Sequence, residues 1–159
     1  MWKNEFDTIM ICKEDINIPD SQQLINELSN VLSEITGDSG KGSFDPSDIL
    51  NIRSLFVVAR NRLGEAVGCG AFRPISNNIA EIKRMYAKYK NKGIGAKILH
   101  YLEEQAKEFG YTKIWLETRK VNEAAVNFYS KNGYQQIKNY GKYINHSKVI
   151  CFEKELINS

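Results

Sequence analysis

Apolar residues recur along this chain with two periods, one helical and one strand-like, and their alternation predicts a mixed fold. Leu24, Leu28, Val31, Leu32 and Ile35 keep helical spacing between Asp20-Ser21, which can cap a helix, and Gly37, which can stop one. Ile94, Ile98, Leu102, Ala106 and Phe109 form a second stripe, closed by Gly110. A short third helix starts at Asn122, a residue whose side chain suits an N-cap, and runs to Asn132 with Gly133 as its stop. Strand patterns occupy 5–13, 55–59, 66–72, 79–87, 114–117, 134–140 and 148–156, the second and third forming a hairpin about a turn at 61–65. Turn formers concentrate between Gly37 and Asp48 (Gly40, Gly42, Ser43, Asp45, Pro46, Ser47) and predict a flexible loop there. The strand–helix–strand unit over 79–118 calls for a parallel pair, since a helical crossover returns the chain in the same direction. The expected fold is therefore α/β (α+β): a mixed sheet of about seven strands, helices on both faces, and strands 4 and 5 parallel at the centre.

Length and composition narrow the class. The 159 residues fit one domain spanning 1–159, without internal repeat, low-complexity tract or long linker. No apolar run approaches the roughly 18 residues that a membrane span needs, and the charges in Met1-Trp2-Lys3-Asn4-Glu5-Phe6-Asp7 stand where a secretory signal would be apolar. Cys12, Cys69 and Cys151 are odd in number, far apart and set among apolar residues, which points to reduced, buried thiols and a cytoplasmic setting. With His100 and His146 the only histidines, no metal site is expected.

The net charge is only +3, but its distribution matters. Between Ile82 and Leu102 lie Lys83, Arg84, Lys88, Lys90, Lys92 and Lys97, and no acid. This run surrounds Lys90-Asn91-Lys92-Gly93-Ile94-Gly95, which joins a strand to a helix. The first turn of a helix has unpaired amides and a partial positive charge, and glycines let an anion come close. The spacing is not that of a P-loop, which ends in Gly-Lys-Ser/Thr. Nor is it a dinucleotide fingerprint, because Ile98 stands where the third glycine belongs.

Three segments taken together resemble the GNAT superfamily of N-acetyltransferases: Ala80-Glu81-Ile82-Lys83-Arg84-Met85-Tyr86-Ala87, then Lys90-x-x-Gly93-x-Gly95, then Asn122-x-x-Ala125-x-x-Phe128-Tyr129-x-Lys131-x-Gly133-Tyr134. The resemblance covers roughly residues 55 to 156. It implies a twisted mixed sheet whose fourth and fifth strands part to admit coenzyme A, and transfer of an acetyl group from acetyl-CoA directly to the amine of a small molecule or peptide. By the same resemblance, the backbone at Met85, Tyr86 and Ala87 would meet the acetyl carbonyl and pantetheine amides. The amides of Lys92, Gly93, Ile94, Gly95 and Ala96 would hold the pyrophosphate, with Lys90 supplying charge. Asn122 would touch the pantetheine arm, Tyr129 would point its hydroxyl at the sulfur, and Glu81 stands where some members carry a catalytic glutamate. A homodimer through the last strands is also implied. Lys90 replaces the usual arginine or glutamine, and the connection from Ala87 to Gly93 is about two residues shorter than the family's and lacks its proline. The cation is retained, so coenzyme binding is expected.

The chemistry sets demands on these residues. An amine of pKa about 10.4 loses roughly 4–5 kcal/mol to deprotonation at pH 7, whereas an α-amine near 7.8 loses only about 1. Glu81 and Glu117 are the candidate bases; the bland alternative for Glu81 is an exposed strand residue paired with Lys83 or a cross-strand cation. Tyr129, a phenol of pKa about 10, can donate to a departing thiolate whose thiol pKa is about 8.5; the bland alternative is a core tyrosine. Arg73, Lys83 and Arg84 read as solvated cations or as partners of a substrate carboxylate. Phe44-Asp45-Pro46 and Tyr140-Gly141-Lys142-Tyr143 are loop candidates for the acceptor side. Two other functions use the same residues. One is a non-catalytic coenzyme A sensor or interaction module. The other is nucleic-acid binding by the basic run with Tyr86 and Tyr89, which a barely basic chain does not favour, so no nucleic-acid partner is expected.

Overall fold

The computed structural model describes residues 8–43, 45, 47 and 52–157. Their strands are β1 (Met10–Lys13), β2 (Leu55–Arg60), β3 (Ala66–Pro74), β4 (Ile79–Ala87), β5 (Lys113–Arg119), β6 (Gln135–Ile137) and β7 (Val149–Glu155). The helices are α1 (Pro19–Thr36), α2 (Ile94–Glu108) and α3 (Glu123–Lys131). The strands form one seven-stranded sheet in the order β1-β2-β3-β4-β5-β7-β6. Every neighbouring pair is antiparallel except β4–β5, which is parallel, as the helical crossover requires.

The sheet separates two apolar layers. Ile94, Ile98, Leu102 and Ala106 of α2 pack on Val57, Phe72, Ile82, Ile114 and Leu116. On the opposite face Leu24 of α1 packs with Phe56, Val58, Cys69 and Ala71. Each such large aliphatic or aromatic side chain, once buried, stabilises the fold by about 1.5–3 kcal/mol. Gly68 and Gly70 of β3 make the α2 layer tight. A Cβ on Gly68 would lie 2.7 Å from the Tyr86 carbonyl, and one on Gly70 would lie 2.7 Å from the Met85 sulfur and 2.8 Å from Ile98.

Several boundaries differ from the sequence reading. α1 begins at Pro19, with Ile18 in the N-cap position, so Asp20 and Ser21 lie inside its first turn. Proline's fixed φ and missing N–H suit that first position, and the Ser21 hydroxyl bonds the Asp15 carbonyl instead of capping. Val31 and Ile35, expected on the packed stripe, stay 39% and 42% exposed. The first strand is confined to Met10–Lys13 among the described residues; 5–7 lie outside them. Cys12 is exposed on this edge strand, whereas Cys69 and Cys151 are buried thiols as expected. The sixth strand stops at Ile137 rather than 140, because the Asn139 amide turns to bond the carbonyls of Tyr143, His146 and Val149. Helix stops match their glycines: Gly37 is left-handed at the end of α1, Gly110 and Gly133 just beyond α2 and α3.

Candidate active site

β4 and β5 share only three register pairs, Ile79↔Lys113, Ala80↔Ile114 and Glu81↔Trp115. Beyond Glu81, β4 continues to Ala87 without β5, while β5 stays paired with β7 as far as Arg119. The backbone edge of 82–87 therefore faces a slot between two parted strands. A bulge in β4 explains the parting. Cys69 pairs with Tyr86 and Ala71 with Lys83, so Arg84 and Met85 together oppose Gly70. Arg84 takes φ +56°, and its carbonyl accepts a hydrogen bond from the Cys69 thiol. Such a bulge bends its strand and raises the local twist. The sequence carried one trace of it, the Gly68-Cys69-Gly70 run inside a strand, since strand glycines mark close approach of another backbone.

The loop after β4 leads directly to the mouth of this slot. Asn91 and Gly93 are both left-handed, at φ +61° and +74°, which turns the chain sharply into α2. Gly93 is the N-cap and brings no side chain to cover the first turn. The amides of Ile94, Gly95 and Ala96 have no intrahelical acceptor, and Ile94 anchors the turn by its 1% exposure. Lys90, Lys92 and Lys97 are exposed around it. A Cβ on Gly95 would meet Phe128 of α3 at 3.5 Å and Ala87 at 4.0 Å, so the ends of β4, α2 and α3 converge here.

α3 is held by its own N-cap: the Asn122 side chain accepts from the Ala125 amide at 3.3 Å. Its far end is tied down by Lys154, which donates to the Asn132 carbonyl and pairs with buried Glu103 at 3.1 Å. Tyr129, on this helix, is 8% exposed and packs edge-on against Phe128 and Tyr134. Burial, with the Glu117 carboxylate adding to it, pushes its phenol well above the ordinary range. Tyr129 is thus both a core residue and a group electrostatically coupled to the slot.

The opposite face of the slot is polar. Glu81 is buried, accepting from Arg73 Nε at 3.0 Å and from the Tyr140 hydroxyl, with Lys83 Nζ at 3.7 Å. It is not the exposed strand residue of the bland reading, although the pairing with Lys83 and with a cross-strand cation is present. Lys83 is 6% exposed and not solvated: it also donates to Glu117 at 3.2 Å and to the Tyr143 hydroxyl at 2.9 Å. Arg84 is likewise buried, since the bulge turns it toward the segment after α1, where it contacts the Ser39 carbonyl. Burial draws the Arg84 guanidinium's pKa down. Tyr86 faces α1, bonding Glu27, and burial raises its hydroxyl to about 12. Lys88 pairs with Glu65 at 3.4 Å and Tyr89 donates to the same carboxylate, so this part of the basic run is neutralised.

Over this polar floor lies an open cavity of about 540 Å³, lined by Arg73, Ile75, Glu81, Tyr140, Lys142 and Tyr143 among others. Two cross-links tie nearby surface segments to the stretch after α1, Lys142 Nζ to the Gly42 carbonyl at 3.2 Å and Arg119 to Asp38 at 3.1 Å. Tyr140, Gly141, Lys142 and Tyr143, the loop candidates for the acceptor side, line this cavity; Phe44 and Pro46 lie outside the described residues. Among the described residues, no group of three or more His, Cys, Asp or Glu could hold a metal ion. No helix among them is long and apolar enough to cross a membrane.

The family model for the acetyltransferase (GNAT) family matches residues 23–134. The chain belongs to the GNAT acetyltransferase family. An IAA acetyltransferase of Azospirillum brasilense is 29% identical over 137 residues, covering 84% of this chain and 89% of that protein. A proposed acyl-CoA N-acyltransferase of Klebsiella pneumoniae superposes with a TM-score of 0.78 at 26% identity, over 94% of this chain and 98% of the other. A GNAT acetyltransferase of Elizabethkingia anophelis with acetyl-CoA bound has the same fold, with a TM-score of 0.69 at 21% identity over 94% and 99% of the two chains. As a GNAT enzyme the chain is an N-acetyltransferase, and the slot between β4 and β5 is its candidate active site.

Proposed function

We propose that acetyl-CoA is the acyl donor and that its thioester lies in the slot between β4 and β5, where an amine from the 540 Å³ cavity attacks it directly. The observation that carries this is the parting of β4 from β5 beside an uncovered helix N-terminus. In this reading the pyrophosphate sits on the amides of Lys92, Gly93, Ile94, Gly95 and Ala96. Lys90 and Lys92 add charge, and Gly95 leaves the backbone open to the ligand. The backbone of Met85, Tyr86 and Ala87 runs along the acyl-pantetheine arm. A donor there stabilises the developing oxyanion by about 2.7–4 kcal/mol. Asn122, whose Oδ1 is taken by the cap, offers its amide nitrogen to the same arm. Tyr129 protonates the leaving thiolate, and a carboxylate of the Glu81–Glu117 pair assists deprotonation of the amine. A cytoplasmic setting suits the buried Cys69 and Cys151 thiols. The acceptor is a small-molecule or peptide amine, and the homodimer rests on family resemblance alone.

Titration calorimetry with coenzyme A and acetyl-CoA tests the donor assignment. Saturable 1:1 binding that weakens when Lys90 and Lys92 are both replaced by Gln is expected. Absence of binding to either ligand would remove the basis of every role named here.

A further inference from the structure

Two glutamates share Lys83, and their surroundings differ in a way that separates their tasks. Glu81 stands level with Trp115, where β4 and β5 are still paired, and its side chain is 3% exposed. Arg73, Tyr140 and Lys83 occupy its two oxygens. A proton or a substrate ammonium reaching it would have to displace that shell. Glu117 stands two residues further along β5, past the last β4–β5 pair, on the stretch of β5 that borders the slot, with its carboxylate on Lys83. It is 16% exposed, and its described ion pair is with Lys83.

The groups that face Glu117 come from three elements. Lys83 reaches it from β4 and Cys151 stands opposite it on β7, while on α3 burial, with the Glu117 charge adding to it, raises the Tyr129 phenol. Through Lys83 it is linked to Glu81 and Tyr143. Tyr129 belongs to the α2–α3 side of the sheet, while Lys83 and Tyr143 lie on the other, so phenol and carboxylate approach the slot from opposite faces.

We propose that Glu117 is the catalytic carboxylate that seats the acceptor's ammonium and takes its proton, with Glu81 a positioning residue that holds Lys83, so that the acceptor is a basic alkylamine. The inference rests on the acetyl-CoA reading above. Glu117 removes one proton from the ammonium and later passes it to water. The neutral nitrogen attacks the thioester carbon, the C–S bond breaks, and the thiolate takes the Tyr129 proton. The second proton lost by the nitrogen returns the phenolate to phenol. A base raises the rate by about 10²–10⁴-fold where the amine arrives protonated, and by little where it arrives neutral.

The test uses the intact chain, acetyl-CoA, and primary amines with pKa values from about 7 to about 10.5, followed by thiol release. Glu117→Gln should lower kcat/KM by about a hundred-fold at pH 7 for the more basic amines, without changing coenzyme A affinity by calorimetry. The deficit should shrink as pH rises toward the amine pKa and be smallest for the least basic amine. Glu117→Asp should recover part of the rate, and thermal melts should show both variants folded. Glu81→Gln should instead give a deficit that does not change with pH or amine pKa. Equal, pH-independent deficits in Glu117→Gln and Glu81→Gln would overturn the assignment. So would acetylation of none of the amines by a protein that does bind coenzyme A. Failure to bind coenzyme A at all would instead strike the donor reading.

Discussion

Tyr129 combines two properties that conflict in water. It is buried enough to be a core aromatic, and its hydroxyl lies within reach of the Glu117 charge. Burial disfavours the phenolate and the neighbouring carboxylate disfavours it further, so the pKa is raised and the donating form persists to higher pH. Any loss of kcat from ionisation of this phenol should therefore appear above the ordinary value of about 10 and not below it. A kcat profile from pH 7 to 11 checks that sign. Tyr129→Phe keeps the packing against Phe128, Tyr134 and Phe152 and removes only the hydroxyl. The proposed acid role predicts a fall in kcat of about 10²-fold or more with little change in the KM for acetyl-CoA. A variant that lost only melting temperature would reduce Tyr129 to a core residue. At this scale the sequence displayed residue types and helical spacing, enough to select Tyr129, Glu81 and Glu117. It could not show that Lys83 is buried, because its partners lie 34 and 60 positions away in the chain.

Among the elements, the β4 bulge and the two β3 glycines act as one device. The bulge carries Tyr86 and Met85 onto β3, and glycine at 68 and 70 is what allows α2 to close over them. Gly68→Ala would place a methyl 2.7 Å from the Tyr86 carbonyl and 2.8 Å from Ile98, against backbone and core together. A destabilisation of about 1–3 kcal/mol in urea unfolding is expected, with weaker coenzyme A binding as α2 shifts outward. Gly95→Ala is the contrast. Its methyl would touch Phe128 at an ordinary 3.5 Å, so the fold should tolerate it, gaining at most about 1 kcal/mol of helix propensity. Coenzyme A affinity should nevertheless fall, because the added Cβ occupies the approach to the first-turn amides. Equal affinity in Gly95→Ala and the parent would show that the ligand does not come so near. β4, α2 and the α3 cap were legible in advance, since each depends on local periodicity and on Asn122, Gly93, Gly110 and Gly133.

For the molecule as a whole, the proposed ligand bridges β4, α2 and α3, whose ends converge at Ala87, Gly95 and Phe128. A ligand that binds the folded state alone stabilises it by about 2.7 kcal/mol at a hundred times its Kd. For a chain of this size that should raise Tm by about 5–10 °C, and the rise should grow with the logarithm of acetyl-CoA concentration. An unchanged Tm at saturating ligand would contradict a site built from these three elements. Two links at the surface behave differently. Arg119–Asp38 and Lys142–Gly42 are part-exposed links between segments far apart in the chain, and water competes with them, so they add little to stability.

Period and punctuation in the sequence determined the seven strands, the parallel central pair and the helix ends, because a side chain's face and a glycine's freedom are local properties. The glycine-bearing turn before α2 and the family membership followed from the same local patterns. Only the tertiary structure decided that Arg84 and Met85 share one partner on β3, that the strands part after Glu81, and that Lys83 sits between two carboxylates. Those outcomes depend on which distant residues compete for the same space and the same charge, and no window of sequence contains both competitors.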